Sequence, residues 1–154
     1  MTIRTKISKD MLGRLHIPKD RYDRIMSYID QMIIHYNGNS IDIIKEIKLN
    51  LKGNERYLGM YATGSFFHPL FKKMSEKEKS DFMEKMAKDL KLDNEKVSKI
   101  QTYLMENLPK YLDENLPNIQ ALQNIISSQF SDVEKDFIIF ILGLVDFIEE
   151  FSVR

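Results

Sequence analysis

An all-α fold, a compact bundle of about six or seven helices, is predicted by three features of this sequence. Apolar residues recur at spacings of three and four along almost its whole length after residue 18. With 6 Gly and 4 Pro among 154 residues, it lacks the many tight turns of an all-β chain. Helix-start signals fall between the apolar stripes, with short connections in the range usual for bundles. No linker or low-complexity stretch divides the chain, so residues 1–154 read as a single helical domain.

Only residues 2–17 look different. Ile3, Thr5 and Ile7 alternate with Arg4, Lys6 and Ser8, and Leu15 and Ile17 alternate with Arg14 and His16. That period of two fits a short β-hairpin turning near Asp10 and Gly13, or an extended arm leading into the first helix. Pro18 suits a first helical position, where its missing N–H costs nothing. Tyr22, Ile25, Met26, Ile29, Met32 and Ile33 then form one stripe, which Asn37 and Gly38 end. Ser40 is an N-cap candidate for a second helix with Ile44, Ile47 and Leu51 inward, closed by Gly53. A third helix is expected over residues 55–63, broken at Gly64 and Ser65, with Pro69 starting a turn or a further short helix.

Ser75 and Glu78 form a capping box ahead of Phe82, Met83, Met86 and Leu90. Asp93 caps the next helix, with Val97, Ile100, Leu104 and Leu108 on one face and a kink or end at Pro109. Pro117 starts another, with Leu122, Ile125, Ile126 and Phe130 inward. Ser131 and Glu134 make a second capping box for a last, central helix over residues 132–151, apolar nearly all round. Its polar residues, Asp132, Asp136, Gly143, Asp146 and Glu150, fall on one narrow stripe that is expected to face solvent.

The chain has no cysteine, which removes disulfides, thiolate nucleophiles and Cys-based zinc sites and fits a cytoplasmic protein. Residues 2–9 are polar and basic with no apolar run behind them, so no secretory leader is expected. The apolar run at residues 137–148 is too short to span a bilayer, and no membrane association is expected. Net charge is zero. Residues 1–24 carry seven Lys or Arg against three Asp or Glu, net +4, and residues 132–154 carry two against six, net −4. Such ends can attract within one chain or between two.

No catalytic or metal-binding pattern emerges, and no cofactor is expected. Gly59 and Gly64 have the spacing of a phosphate-binding loop, but Ser65 stands where the lysine is required and no buried strand precedes them. His16, His35 and His68 belong to no metal-ligand spacing. His68 lies among Tyr57, Tyr61, Phe67 and Phe71, a setting that would suit a haem or small-ligand pocket, although helical spacing alone explains the aromatics and favours an ordinary core corner.

Two functional classes remain. One is a non-enzymatic binding or scaffolding module that self-associates as a homodimer, or meets another protein. A neutral chain does little to hold copies apart, and Tyr28, Ile34, Ile43, Tyr103 and Met105 exceed what one-sided helices need. The other is a DNA-binding regulator with phosphate contacts from Arg4, Lys6, Lys9, Arg14, Lys19, Arg21 and Arg24. Residues 9–19 carry Gly13, Arg14, Ile17, Pro18 and Lys19, an arrangement that resembles the Gly-Arg-x-x-Ile-Pro-Lys core of swapped-hairpin, AbrB-type DNA-binding domains. The resemblance implies a dimeric hairpin presenting basic residues to DNA. That family has a short helix and a second hairpin next, where this chain continues with a long amphipathic stripe, so membership is not assigned.

Overall fold

The computed structural model describes residues 16–113 and 124–145. It is an all-α bundle: α1 (Lys19–His35), α2 (Ser40–Asn50), α3 (Gly53–Lys72), α4 (Glu76–Asp89), α5 (Asn94–Asp113) and α6 (Asp132–Val145), with a further helical turn at residues 124–126. No strand occurs among the described residues. Of the hairpin or arm expected over residues 2–17, all but His16 and Ile17 lie outside them, as do the start at Pro117 and the end of the last helix.

The α1 stripe is buried as its spacing requires, with Ile25, Met26 and Ile29 at 3% exposure or less. Pro18 sits one position earlier than expected, as N-cap in extended backbone, and its carbonyl accepts from Tyr22 N–H at 2.9 Å. Asn37 carries the left-handed turn at φ 52°, and Gly38 N–H reaches back to the Ile33 carbonyl at 2.9 Å. This is a Schellman closure with Asn at the strained position. Asn39, not Ser40, caps α2, because its side chain accepts from Asp42 N–H at 3.2 Å. Tyr36 and Asn50 then both donate to the Glu46 carboxylate, at 2.5 and 2.9 Å, tying α1 to α2. Accepting that bond from the phenol pushes the Tyr36 pKa up to about 12.

The largest departure from expectation is α3. A single helix of 20 residues passes through Gly64, Ser65 and Pro69, and Gly53, at φ 60°, opens it rather than closing α2. Gly64 is inside the helix because α6 lies against it. A Cβ there would fall 2.2 Å from the Phe140 carbonyl oxygen, and one at Gly143 would fall 2.3 Å from the Tyr61 carbonyl oxygen. The two glycines thus meet back to back, and tertiary contact outweighs the roughly 1 kcal/mol that Gly costs in a helix. Successive contacts at Arg56–Asp136, Gly64–Phe140 and His68–Leu144 show that α3 and α6 run parallel. Residues 58–65 of α3 and 136–144 of α6 are buried throughout, so the last helix shares the centre with α3.

This pairing also corrects the polar stripe of α6. Asp132 is exposed, but Asp136 is fully buried and Gly143 forms the seam with α3. At Asp136 and Gly143 the stripe faces α3, not solvent, while Asp132 faces solvent as expected, and Asp146 and Glu150 lie outside the described residues. Both capping boxes are present as read: Glu78 N–H donates to Ser75 Oγ at 3.2 Å, and Glu134 N–H to Ser131 Oγ at 3.3 Å. Asp93 accepts from Lys96 N–H at 2.8 Å. Pro109 does not end α5, which continues to Asp113.

Candidate functional site

Between α4 and α5 runs an open groove of about 700 Å³ whose floor is Phe137 and Ile141 of α6. Each helix reaches the groove with a face of helical period: Ser80, Met83 and Ala87 along the middle of α4, and Val97, Gln101 and Leu104 along α5. The groove stays open because short side chains stand where a core would have large ones. Ser80 and Ser98 keep its walls low, while Ile100, Phe137 and Ile141, at 0%, 3% and 6% exposure, close its base. Glu76, Lys79, Glu84 and Lys88 line it from α4. Glu76 lies 3.7 Å from Lys79, whose ammonium also sits 5.5 Å from the Phe71 ring centre.

Sparse burial of α4 leaves this groove wide. Met86 and Ala87 are its buried residues, helped by half-buried Phe82 and Met83. Phe82 joins an aromatic series, 6.0 Å from Phe71 and 6.4 Å from Phe140 between ring centres. Further large apolar side chains stand exposed elsewhere: Ile34 at 81%, Leu49 at 76% and Met105 at 78%. Met105 is one helical turn beyond Gln101, beside the groove. Of the apolar residues read as surplus, Ile34 and Met105 are exposed. Ile43 is fully buried, and Tyr28 and Tyr103 pack half-buried against the core.

Residues 57–71 lie partly in the core, with Phe66 and Leu70 exposed. Tyr61, Phe67 and His68 are buried, and Tyr57 and Phe71 half-buried. The His68 ring Nδ1 lies 2.6 Å from the Leu144 carbonyl oxygen, where Nδ1–H donates across the α3–α6 seam. None of these five residues lines the groove. The basic arm is described only in part. Arg4, Lys6, Lys9 and Arg14 lie outside the described residues, and Lys19 is exposed at the start of α1. The guanidinium of Arg21 is held by Glu55, Nε to carboxylate at 3.1 Å, and Arg24 lies 3.9 Å from Asp20.

Deepest among the charged groups is the pair Arg56–Asp136, in which the guanidinium donates to both carboxylate oxygens, Nε at 3.0 Å. Burial pushes the Asp136 carboxyl up, and Arg56 pulls it only part of the way back. Burial opposes ionisation of Glu134 too, but its bonds from Ser131 and the nearby charges of Lys99 and Lys96 together outweigh that and hold its pKa below the usual glutamate value. Among the described residues no group of three His, Asp or Glu is placed to hold a metal ion, and no helix is long and apolar enough to cross a membrane.

Comparison with protein-family models, characterised proteins and solved structures finds no match to this chain. The groove was missed in the sequence because concavity arises from two helices and a floor, not from one stripe. Its signal was the run of short residues, Ser80, Ala87 and Ser98, on the inward faces of adjacent amphipathic helices.

Proposed function

We propose that this protein is a non-enzymatic binding and scaffolding module that works by pairing with a second copy of itself. The observation that carries this reading is the α4–α5 groove, an open concavity with half-buried Met83, Val97 and Leu104 on its walls, beside a helix that buries only two of its residues in its own chain. Open apolar surface of this kind marks a site of association. The neutral chain supports self-pairing, since copies do not repel through net charge. Exposed Met105 adds apolar area on the α5 side.

Sedimentation equilibrium at micromolar concentration, at low and high ionic strength, tests it. A dimer in both conditions is expected, because apolar burial contributes most of the free energy and exposed ion pairs only about 0–1 kcal/mol each. A monomer in both overturns the reading. Binding to duplex DNA with a steep fall in salt would instead favour the regulator built on the basic arm.

A further inference from the structure

The charges that line the groove from α4 have an order with a consequence for how two copies can meet. From the N-terminal end they run Glu76, Lys79, Glu84, Lys88: negative, positive, negative, positive. Reversed, the order is positive, negative, positive, negative. A helix face of this kind opposes unlike charges when laid antiparallel on itself, and like charges when laid parallel. From this order we infer that the groove is occupied by α4 of a second copy, antiparallel about a two-fold axis that crosses the helix between Asp81 and Phe82.

In that register Lys79 faces the second copy's Glu84. Glu76 faces the second copy's Ala87, one residue from Lys88 and within reach of its long side chain. Ser80 faces the second copy's Met83, so the large apolar residue that each α4 presents to the groove lies over a short one, as ridge-into-groove packing needs. Each α4 lies along the other copy's groove, and every contact is made twice, as a two-fold interface requires. The helix has 14 residues, about 21 Å at 1.5 Å per residue, and its groove face extends along that length from Glu76 to Lys88. Apolar contact at half-buried Met83 and Leu104 supplies affinity, while the charge order sets direction and register.

The inference rests on the self-association reading, and charge reversal separates their failures. Glu76 and Lys88 are both exposed. E76K and K88E, each alone, set like charges together at two symmetry-related places and should weaken the dimer about ten-fold in sedimentation equilibrium at low salt. The double variant E76K/K88E reverses both members and should regain the wild-type dissociation constant. Lys79→Glu, Glu84→Lys and their combination form a second, independent set with the same expected pattern, and circular dichroism checks that helix content is kept. A wild-type protein that is monomeric overturns self-association and this inference together. A wild-type dimer that the single reversals leave untouched places the contact on another face and overturns the inference alone. Weakening without recovery in both doubles overturns the antiparallel register.

Discussion

Asp136 gives up water for Arg56, and its full burial makes that exchange the most consequential single-residue feature of the core. Removing the cation leaves a carboxylate in a poorly solvating site. Arg56→Ala is therefore expected to cost about 3–5 kcal/mol in denaturant unfolding, whereas replacing both partners by well-packed apolar residues should cost far less. The pH dependence has a definite sign. A buried carboxyl whose pKa is raised binds its proton more readily folded than unfolded, so its contribution favours the fold in acid and is lost as pH rises through the folded pKa. The Arg56→Ala deficit should accordingly shrink on acidification, as Asp136 becomes neutral. A deficit constant with pH would show that Asp136 is not the group left stranded. The glycines supply a second contrast. Gly64→Ala presses a Cβ on backbone at 2.2 Å, and a loss of at least about 1–3 kcal/mol is expected. Gly59→Ala meets only side chains, Leu51 Cδ1 at 3.1 Å and Ile47 Cγ2 at 3.3 Å, which need give by only a few tenths of an ångström, so it should cost far less than Gly64→Ala. In the sequence Gly64 reads as a helix break and Gly59 as a residue inside the helix. The difference in cost between them is set by residue 143, 79 positions beyond Gly64, which no local pattern reports.

Most helix ends with a local determinant were legible, although the α2 cap falls on Asn39 rather than Ser40 and Gly53 opens α3 rather than closing α2. Both capping boxes, the Asp93 cap and the Asn37–Gly38 closure depend on residues within five positions of one another, and all are present. Helix interiors were misread where local propensity met a distant partner. Pro69 and Gly64 argue against a helix through residues 64–69 on their own chain, yet the seam with α6 holds α3 continuous. The face of α6 was inverted for the same reason, since an Asp and a Gly read as solvent-facing are the residues that fit a neighbouring Arg and a neighbouring Gly. The apolar side of α6 was legible. Ile141, 6% exposed, should cost roughly 2–5 kcal/mol when truncated to Ala. The α6 capping box carries a prediction about pH. With its pKa held below the ordinary 4.5, Glu134 stabilises the fold above that value, and the contribution is lost as pH falls through the lowered one. Ser131→Ala should remove about 1 kcal/mol at neutral pH and flatten the acid limb of the stability profile. An unchanged acid limb would show that the box does not set the Glu134 ionisation.

At the scale of the whole molecule, the bundle has a well-buried centre, the α3–α6 pair with α1 and α2 against it, and a sparsely buried side at α4 and α5. The candidate site belongs to the sparse side, which explains why the core was readable and the groove was not. Amphipathic stripes report which residues avoid water, but not whether the surface they make is covered by the same chain or by another. If the groove is covered by a second copy, association and folding are linked, and thermal stability must depend on protein concentration. Raising the concentration ten-fold changes the free energy by about 1.4 kcal/mol per mole of dimer, which for a chain of this size moves the midpoint by roughly 1–3 °C. Because apolar burial contributes most of that free energy, the dependence should persist at high ionic strength, where exposed pairs are screened. Calorimetry across a hundred-fold range of concentration measures it directly. A midpoint that does not move leaves α4 without a partner copy, while one that moves only at low salt assigns the association to charge rather than to the apolar walls of the groove.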